Sequence, residues 1–551
     1  MADDRTMSTL DTRSHQMFPT LDAGQIDVAR RFASAPARTF APGEAMYGIG
    51  DLDAPAWLVL EGSIDVTRRD GLDREATITE HLAGQFSGEV SQLSGRPTIA
   101  AGHAGKAGCT ALPFDAAHLR ALMVGSADLG EIVMRALILR RVGLIEEGGA
   151  GSILIGVPNS ADIVRLQGFL TRNGYPNLVL DAASDSDGHA LVERIGVLPE
   201  ELPLMVCPNG TILKRPTDAE AATCLGMTPK LDPDMLYDVA IVGAGPAGLA
   251  ASVYAASEGL SVVVLDERAT GGQAGASARI ENYLGFPTGI SGRALAGRAF
   301  SQALKFGVEV AVPLAVERLD CEATHATGDP LKLVLAGGGT IQARSVIVAS
   351  GARYRRPAIE NLATFDGDGV SYWASPIEAK LCEGECIALV GGGNSAGQAV
   401  VFLASKVKHV DLVVRRDLRE TMSRYLIDRI AALPNVTIHV GSEVVGLEGD
   451  RATGLTAAIF KDRDTGATKR CATRHLFLFI GADPNAGWLD GCVETDAKGF
   501  IVTGGSSLPL QTSLPGVFAI GDVRAGSTKR VAAAVGEGAA VVSQIHTMLA
   551  E

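Results

Sequence analysis

The sequence predicts an α/β protein of several domains, because a strand, a glycine-rich turn and a helix follow one another twice in its C-terminal half. A chain of 551 residues is also too long for one hydrophobic core, so three to five domains are expected. Short strands separated by Gly/Asp turns come first, and they predict a β-rich unit ahead of the α/β part.

Charge and hydropathy exclude several classes of protein. The net charge of −14 argues against a general nucleic-acid-binding protein, which presents a basic face to phosphates. No apolar run reaches the ~20 residues of a membrane-spanning helix, and the polar N-terminus holds no apolar signal segment. Eight scattered cysteines predict reduced thiols rather than disulfides. We therefore expect a cytoplasmic protein with no nucleic-acid partner, no membrane partner and no metal site.

The N-terminal half divides into a leader and two small units. Residues 1–16 are polar and predict a disordered leader. Residues 17–147 alternate β-rich runs with turns and end in an amphipathic helical stretch, which predicts an antiparallel β-roll followed by helices. After the glycines of a linker, residues 152–229 carry a β-α-β-α-β-β-α pattern, which predicts a compact α/β domain. A Pro-bearing stretch at 230–235 marks the next boundary.

The first glycine-rich turn carries the fingerprint of a dinucleotide site. Gly243, Gly245 and Gly248 lie between the hydrophobic strand VAIV and the helix AGLAASVYAA. The glycines allow a tight turn, close approach of a pyrophosphate and close helix–strand packing. Asp266 ends the next strand, where a carboxylate accepts hydrogen bonds from ribose hydroxyls. A lone fingerprint is weak, but here strand, helix and acid are in register.

From residue 236 to the C-terminus the chain resembles the thioredoxin reductase family of flavoproteins. The resemblance runs through ATGGQAG, RIENYLGFP, IVASGA, IGADPN and FAIGDVRAGSTKRVAAAVGEGA. It implies an FAD-binding domain at 236–357 and 479–551, with an NADPH-binding domain inserted at 358–478. The residues that it implies for FAD, beyond the fingerprint and its acid, are Gly272, Gln273, Asn282, Gly351, Gly521, Asp522, Arg530, Val531 and Ala532. The last three match a helix N-terminus that stabilises reduced flavin.

A second glycine-rich turn follows the strand CIALV and repeats the same pattern. It contains Gly391 and Gly393, then Asn394 and Ser395, and the resemblance implies that this unit binds NADPH. The following strand ends in Arg415 and Arg416 rather than in an acid. A 2′-phosphate requires guanidinium groups at this place, whereas a ribose diol requires a carboxylate, so NADPH is favoured over NADH.

The chain departs from this family at the redox disulfide. Thioredoxin reductases carry Cys-x-x-Cys-Asp just before the second glycine-rich turn, whereas residues 372–376 here read Tyr-Trp-Ala-Ser-Pro. Cys382 and Cys386 come later and are spaced as Cys-x-x-x-Cys, so we expect structural thiols. Without a dithiol beside the flavin, electrons cannot leave by thiol–disulfide exchange. The flavin is therefore expected to reduce an acceptor directly.

The two N-terminal units resemble known domains that have lost their active residues. The β-roll is similar to cyclic-nucleotide-binding domains; Glu89 matches the ribose-binding acid, and Arg96 lies near the place of the phosphate-binding arginine, which predicts a degenerate nucleotide site. The 152–229 unit resembles a thioredoxin domain in which Pro158, Asn159 and Ser160 replace Cys-x-x-Cys. Leu202–Pro203 matches that family's cis-proline turn. A redox-inactive docking or spacer domain is favoured.

The favoured hypothesis is an FAD-dependent NADPH oxidoreductase, expected as a homodimer, whose electron acceptor is a small molecule or a protein. No catalytic side chain is assigned, because positioning carries hydride transfer from nicotinamide to flavin. Two alternatives stay open. One is a thioredoxin reductase-like enzyme that acts on the disulfide or dithiol of a partner or substrate. The other is a ligand-responsive redox sensor.

Overall fold

The computed structural model arranges the chain as a series of small sheets with helices packed on them. It describes residues 9–69, 75–147, 151–158, 160–229, 231–321, 330–450, 452–505 and 507–550. Within these ranges no helix is both long enough and apolar enough to cross a membrane.

The N-terminal unit is a six-stranded antiparallel sheet in which β6 pairs with β1, β2 and β3. Its strands are β1 (Arg38–Phe40), β2 (Ala45–Tyr47), β3 (Ala56–Arg69), β4 (Glu75–Leu82), β5 (Phe86–Ser87) and β6 (Ala101–Phe114). Its helices are α1 (Thr9–Met17), α2 (Ala23–Arg30), α3 (Glu89–Ser94), α4 (Ala116–Gly125) and α5 (Ala127–Glu147). The apolar faces of β3, β6, α4 and α5 share one core.

Helix α1 corrects the prediction of a disordered leader over residues 1–16. From Thr9 onwards the chain is helical, and the helix ends at the buried Met17. The carbonyl oxygen of Met17 accepts a hydrogen bond from Arg140 Nε at 2.8 Å, which ties the leader to α5. The prediction is therefore wrong from residue 9 on, because tertiary contacts order a segment of weak intrinsic pattern. Residues 1–8 lie outside the described ranges.

The second unit is a four-stranded mixed sheet in the order β10-β9-β7-β8. Its elements are β7 (Ser152–Gly156), α6 (Ala161–Arg172), β8 (Asn177–Asp181), α7 (Ser186–Ile195), β9 (Leu204–Val206), β10 (Ile212–Lys214) and α8 (Asp218–Cys224). The Leu202–Pro203 peptide bond is cis, which confirms the prediction made for this turn. Of the three residues predicted at the lost redox turn, Asn159 lies outside the described part of the chain.

The third unit is a seven-stranded sheet that sequence-distant strands complete. It contains β11 (Leu236–Val242), α9 (Pro246–Ser257), β12 (Val262–Leu265), α10 (Gly272–Gly275), α11 (Gly292–Lys305), β13 (Glu309–Ala311), β14 (Val316–Asp320), β15 (Leu331–Leu335) and β16 (Thr340–Val348). Strand β11 is central and parallel to β12 and β16, and its successive residues enter two different hydrophobic clusters. Burial on both faces explains its nearly continuous apolar sequence.

A fourth unit is inserted after β17 (Ala352–Tyr354), the strand by which the chain leaves the third unit. It contains β18 (Val370–Ser371), α12 (Pro376–Leu381), β19 (Cys386–Val390), α13 (Asn394–Ala404), β20 (His409–Val414), α14 (Arg424–Ala431), β21 (Val436–Val440), β22 (Ser442–Asp450), β23 (Gly454–Asp462), β24 (Thr468–Ala472) and β25 (His475–Leu478). The five-stranded sheet β18-β25-β19-β20-β21 is parallel. The remaining three strands form an antiparallel sheet.

The chain returns to the third unit through β26 (Ala482–Pro484), β27 (Val517–Ala519) and α15 (Val531–Ala550). Strands β17 and β26 pair with each other, so the outgoing and returning segments form one two-stranded joint. Strand β27 adds to the edge of the large sheet beside β16. The fold is thus two α/β units, each built on a core of parallel strands, with the second inserted in the first, which confirms the predicted fold class of the C-terminal half.

Four of the eight cysteines are paired, contrary to the prediction of reduced thiols. One disulfide joins Cys207 to Cys224, and the other joins Cys321 to Cys492, 171 residues apart in the chain. Scattered spacing gave no sign of these pairs, because the partners meet only through the tertiary fold. The free cysteines are Cys109, Cys382, Cys386 and Cys471.

Candidate functional site

The turn between β11 and α9 is tight, and two of its glycines are required by the fold. Gly243 has a φ of 114°, and a Cβ there would lie 2.2 Å from the carbonyl oxygen of Ala349. A Cβ at Gly248 would lie 1.9 Å from the carbonyl oxygen of Gly243. Both the sharp turn and the close helix–strand packing therefore depend on glycine.

Gly245 is different, because the protein alone does not require a glycine there. It precedes α9 with a φ of −73°, and an added Cβ would meet only the Cα of Gly272, at 3.9 Å. No side chain caps the helix, so its first N–H groups are left for an external acceptor. The pyrophosphate of a dinucleotide suits both this space and this polarity.

Asp266 lies directly after β12 and beside this turn. Its carboxylate accepts hydrogen bonds from the backbone N–H groups of Ala244 at 2.8 Å, Arg268 at 2.9 Å and Ala269 at 3.1 Å. Burial raises the pKa of Asp266, and the three backbone donors oppose that shift. The structure thus brings the predicted ribose-binding acid to the glycine turn.

The loop after β12 approaches the same turn, whereas one predicted residue stays apart. Gly272 has a φ of 53°, and a Cβ there would lie 3.0 Å from the Cα of Gly245. Gln273 donates a hydrogen bond to the carbonyl of the residue that follows Gly351. Asn282 is exposed, and its side chain makes no hydrogen bond to any described residue. The structure therefore does not join Asn282 to this cluster.

The C-terminal motif packs on the first helix from the other side. Gly521 and Asp522 lie in a 3₁₀ turn, and a Cβ at Gly521 would lie 3.0 Å from the Cβ of Ala247 in α9. Burial raises the pKa of Asp522, Lys529 lowers it and Glu537 raises it. Three stretches that are distant in sequence, near residues 245, 272 and 521, therefore meet around one helix N-terminus.

A second open helix N-terminus belongs to α15. The carbonyl of Arg530 accepts the first intrahelical hydrogen bond, from the N–H of Ala534 at 3.0 Å. The N–H groups of Val531 and Ala532, in the first turn, have no intrahelical acceptor. These groups carry the positive end of the helix dipole and favour a neighbouring negative charge.

The inserted unit has its own glycine turn, between β19 and α13. Gly391 has a φ of 147°, and its Cβ would lie 2.5 Å from the carbonyl oxygen of Phe479. Gly393 has a φ of −90° and open space around the Cβ position. The turn thus resembles the first glycine turn. The backbone requires glycine at one position, and the glycine at the other leaves room for a ligand.

A cavity of about 250 Å³ opens beside this turn. Asn394 lies on its wall, and Asn394 Oδ1 accepts a hydrogen bond from the N–H of Ser423 at 2.7 Å. Arg419 and Arg530 line the same cavity. Arg419 belongs to the inserted fourth unit, and Arg530 belongs to the third unit. Sequence reasoning assigned Arg530 to the flavin side alone, because nothing local indicates that the two arginines meet.

Arg415 and Arg416 follow β20 and are both exposed. Arg416 makes one long ion pair, with Glu420 at 3.5 Å. Ser395 hydrogen-bonds to Tyr354 across the joint between the two units. The basic strand end and the glycine turn both follow carboxyl ends of parallel strands, the edge at which α/β sheets bind ligands.

The segment 372–376, which the sequence predicts at the place of the redox disulfide, leads into a helix cap. Ser375 caps α12 and exchanges hydrogen bonds with Glu378, which is 7% exposed. Glu378 Oε1 also accepts a hydrogen bond from Trp373 Nε1 at 2.8 Å. Cys382 at the end of α12 is buried, and burial raises the pKa of its thiol to about 11. The segment is therefore fixed by polar contacts that involve no sulfur.

Two residues that sequence reasoning missed come from the second unit. At the end of α6, Arg172 Nη2 donates a hydrogen bond to the carbonyl of Gly272 at 3.0 Å. The next residue, Asn173, donates through Nδ2 to the carbonyl of Arg268 at 2.9 Å. Burial lowers the pKa of Arg172, and the nearby Asp266 opposes this. No local signal in the sequence could have shown this docking.

Of the two nucleotide residues predicted in the β-roll, only Arg96 has a described side chain. Glu89 starts α3, and its side chain lies outside the description. The guanidinium of Arg96 lies over the rings of Tyr175 and Phe300, which belong to the second and third units. Arg96 thus contributes to a junction between units.

Two glycine-cradled helix N-termini on two parallel sheets, one inserted in the other, define a protein with two dinucleotide-binding folds. The family described as "Pyridine nucleotide-disulphide oxidoreductase" matches residues 237–538, and this chain belongs to that family. Members of the family are FAD- and NAD(P)H-dependent oxidoreductases.

Individual relatives agree with this assignment. The thioredoxin reductase of Treponema pallidum is 34% identical over 316 residues, which cover 57% of this chain and 98% of that protein. The NADPH-dependent thioredoxin reductase 3 of Arabidopsis thaliana is 33% identical over 311 residues, 55% of this chain and 57% of that protein. The match thus spans little more than half of the latter relative. The crystal structure of T. acidophilum thioredoxin reductase has a TM-score of 0.53 at 30% identity, and the match covers 57% of this chain and 99% of that chain.

The two glycines of the second turn should respond differently to alanine. Gly391→Ala forces a positive φ and a backbone clash, so the free energy of unfolding should fall by about 2 to 6 kcal/mol. Gly393→Ala has an ordinary φ and open space, so the change should stay within about 0.5 kcal/mol. Thermal unfolding followed by circular dichroism compares the two variants. Equal destabilisation would show that Gly393 also serves the fold.

Proposed function

We propose that this chain is a flavoprotein oxidoreductase that takes electrons from NADPH and passes them through FAD directly to an acceptor. The observation that supports direct transfer is the cap of α12, in which Trp373 and Ser375 hydrogen-bond to Glu378 at the place expected for the dithiol. FAD supplies a two-electron relay when bound. The acceptor is a small molecule or a protein.

The proposed FAD site is built around the N-terminus of α9. Its open N–H groups receive the pyrophosphate, Asp266 accepts hydrogen bonds from the ribose, and the first turn of α15 provides N–H donors for the ring system. The residues that we assign to this site are Gly243, Gly245, Gly248, Asp266, Gly272, Gln273, Gly351, Gly521, Asp522, Arg530, Val531 and Ala532.

The proposed NADPH site lies at the second glycine turn. Gly391, Gly393, Asn394 and Ser395 form the phosphate-binding turn and the start of α13. The exposed guanidinium groups of Arg415 and Arg416 are free to meet a 2′-phosphate, since only one long ion pair engages them among the described residues. The adjacent cavity of about 250 Å³ provides space at the turn.

We also propose a division of the chain that follows its sheets. A β-roll similar to cyclic-nucleotide-binding domains takes up 17–147, and a thioredoxin-like domain without Cys-x-x-Cys takes up 152–229. An FAD-binding domain at 236–357 and 479–551 encloses an NADPH-binding domain at 358–478. The two N-terminal domains have docking rather than catalytic roles, as the contacts of Arg172 with the loop of the FAD domain suggest.

Replacing Asp522 should weaken FAD binding. Asp522→Ala removes an acidic acceptor beside α9, and a hydrogen bond to a charged group contributes ~1.5–3 kcal/mol. The flavin content of the purified protein, read from its visible absorbance, should fall, and FAD affinity should drop about tenfold or more. Glu494→Ala, an exposed carboxylate of the same domain, is the matched control. Full flavin content in Asp522→Ala would refute the assignment.

Removing Arg415 and Arg416 together should erase the preference for NADPH over NADH. Each charge-assisted contact with the 2′-phosphate contributes ~1.5–3 kcal/mol, so the ratio of kcat/KM values should fall about tenfold or more. Stopped-flow reduction of the flavin by each nucleotide measures the ratio. The Arg463/Arg470 double alanine variant removes two exposed arginines from the same domain and should discriminate as the wild type does.

The protein should oxidise NADPH in stopped-flow experiments yet fail to reduce thioredoxin. The buried thiol of Cys382, with a pKa near 11, is protonated at neutral pH and is a poor nucleophile. Changing Cys382 and Cys386 together to Ser should therefore leave flavin reduction and acceptor turnover nearly unchanged.

Three results of this experiment would count against the proposal. Loss of acceptor turnover in the Cys382/Cys386 variant with normal FAD content would mean that the two thiols act as a relocated dithiol. Efficient reduction of thioredoxin by the wild type would restore the disulfide reductase alternative. Flavin reduction by NADPH that is too slow for turnover with any quinone, disulfide, ferredoxin or oxygen would favour a redox sensor.

A further inference from the structure

A small cavity lies where three units meet: the N-terminal β-roll, the second (thioredoxin-like) unit and the third (FAD-like) unit. Its volume is about 60 Å³. The β-roll contributes Arg96 from the loop after α3 and Arg141 from α5. The second unit contributes Tyr175, and α11 of the third unit contributes Phe300. Both aromatic residues are buried, so the cavity is part of a packed junction.

Two guanidinium groups converge in this cavity. Arg96 Nη1 and Arg141 Nη2 both donate to the carbonyl oxygen of Asn173, at 3.4 Å and 3.2 Å. Both groups also lie over the ring of Phe300, with the Cζ atom 5.7 Å from the centroid for Arg96 and 4.7 Å for Arg141. One carbonyl and one aromatic ring therefore hold two positive charges close together.

No carboxylate side chain that the structure describes balances these two charges. Among the side chains that the structure describes, no carboxylate lies within ion-pair distance of Arg96 or Arg141. The hydroxyl of Tyr175 already donates to the carbonyl of Leu225, at 2.9 Å. Burial, with the neighbouring charge of Arg96 as a second cause, lowers the pKa of Arg141 to about 9. Partly buried charges of like sign repel each other and normally require a counter-charge.

We propose that this junction cavity binds an oxyanion, a phosphate group above all, between Arg96 and Arg141. Guanidinium groups bind phosphate through paired, charge-assisted hydrogen bonds. A single water needs roughly 10–15 Å³ of such space, so about 60 Å³ admits a phosphate group but not a nucleoside. The ligand is therefore free phosphate or the phosphate end of a ligand whose remainder stays outside the cavity.

The bound anion also strengthens the docking of the N-terminal units on the FAD-like unit. Asn173, which accepts from both arginines, donates through its side chain to the carbonyl of Arg268. Its neighbour Arg172 donates to the carbonyl of Gly272 in the loop that closes on α9. Neutralising Arg96 and Arg141 removes their repulsion and stabilises the docked arrangement. Only this last link, to the loop, rests on the proposed FAD site.

The test uses the full-length, FAD-loaded protein and potassium phosphate, with potassium chloride holding the ionic strength constant. The wild-type melting temperature should rise with phosphate, and above Kd it should rise with the logarithm of the phosphate concentration, as expected for a ligand that binds only the folded state. Arg96→Gln and Arg141→Gln should each weaken phosphate binding at least tenfold in isothermal titration calorimetry. Arg135→Gln is the matched control on α5, because Arg135 is exposed and pairs with Glu131, and it should bind as the wild type does.

Melting temperatures measured with and without phosphate show whether Arg96 and Arg141 bind an anion or only pack in the junction. Without phosphate, Arg141→Gln should melt no lower than the wild type, since it relieves the repulsion; with phosphate the wild type should melt higher. A calorimetric titration of the wild type with phosphate that does not saturate, or an equal loss of binding in Arg135→Gln, overturns the proposal. If Arg141→Gln melts lower than the wild type by the same amount in both buffers, the arginines only pack and the proposal fails.

Two ligand arms identify where the phosphate comes from. A nucleoside monophosphate that competes with phosphate and depends on Arg141 supports an ester whose phosphate enters the cavity. A cyclic nucleotide that binds equally well to the wild type and Arg141→Gln, while phosphate does not bind, places recognition inside the β-roll and overturns this assignment. The flavin absorbance, measured in the same samples, reports separately whether the proposed FAD site is intact.

Discussion

The open N-terminus of helix α9 is the feature around which the C-terminal half of the molecule is arranged. Three stretches approach it closely: the loop at Gly272, the 3₁₀ turn at Gly521 and the carboxylate of Asp266. The first two approaches require glycine, because a Cβ at Gly272 or Gly521 would lie about 3.0 Å from an atom of the turn or the helix. Asp266 is held at the turn by its hydrogen bond from the N–H of Ala244. The N–H groups in the first turn of α9 have no side-chain cap, so this helix end favours a negative ligand.

The inserted unit also has a glycine turn before an uncapped helix N-terminus. The segment that precedes this turn differs from that of the reductases. In the reductases that the chain resembles, a dithiol stands before the second glycine turn and receives electrons from the flavin. Here Ser375 and Glu378 close a capping box, and the indole of Trp373 donates to that carboxylate. A helix cap stabilises local structure and carries no redox chemistry. Under the proposed function, electrons enter from NADPH as in those reductases but leave the flavin by a different route.

Local patterns predicted much of this structure, and long-range contacts account for what they missed. Strands β11 and β19, their turns and the helices after them follow from hydrophobic runs and glycines that lie side by side in the sequence. The cis peptide bond before Pro203 was likewise predicted from a local motif. By contrast, the pairing of Cys321 with Cys492 and the order of helix α1 arise from tertiary contacts. The meeting of Arg419 with Arg530 belongs to the same group.

The docking of the second unit gives the N-terminal half a contact with the proposed flavin site that requires no catalytic residue. Arg172 and Asn173 hold the carbonyls of Gly272 and Arg268, which lie in the loop between Asp266 and α10. A ligand that binds more tightly when this loop is held in place stabilises the docked position of the second unit. By linkage, docking raises the affinity for that ligand by the same factor. Because the guanidinium of Arg172 is buried while it makes this contact, undocking changes the charge environment of Asp266 as well as the position of the loop. The second unit is thus coupled to this loop through two side chains of its own.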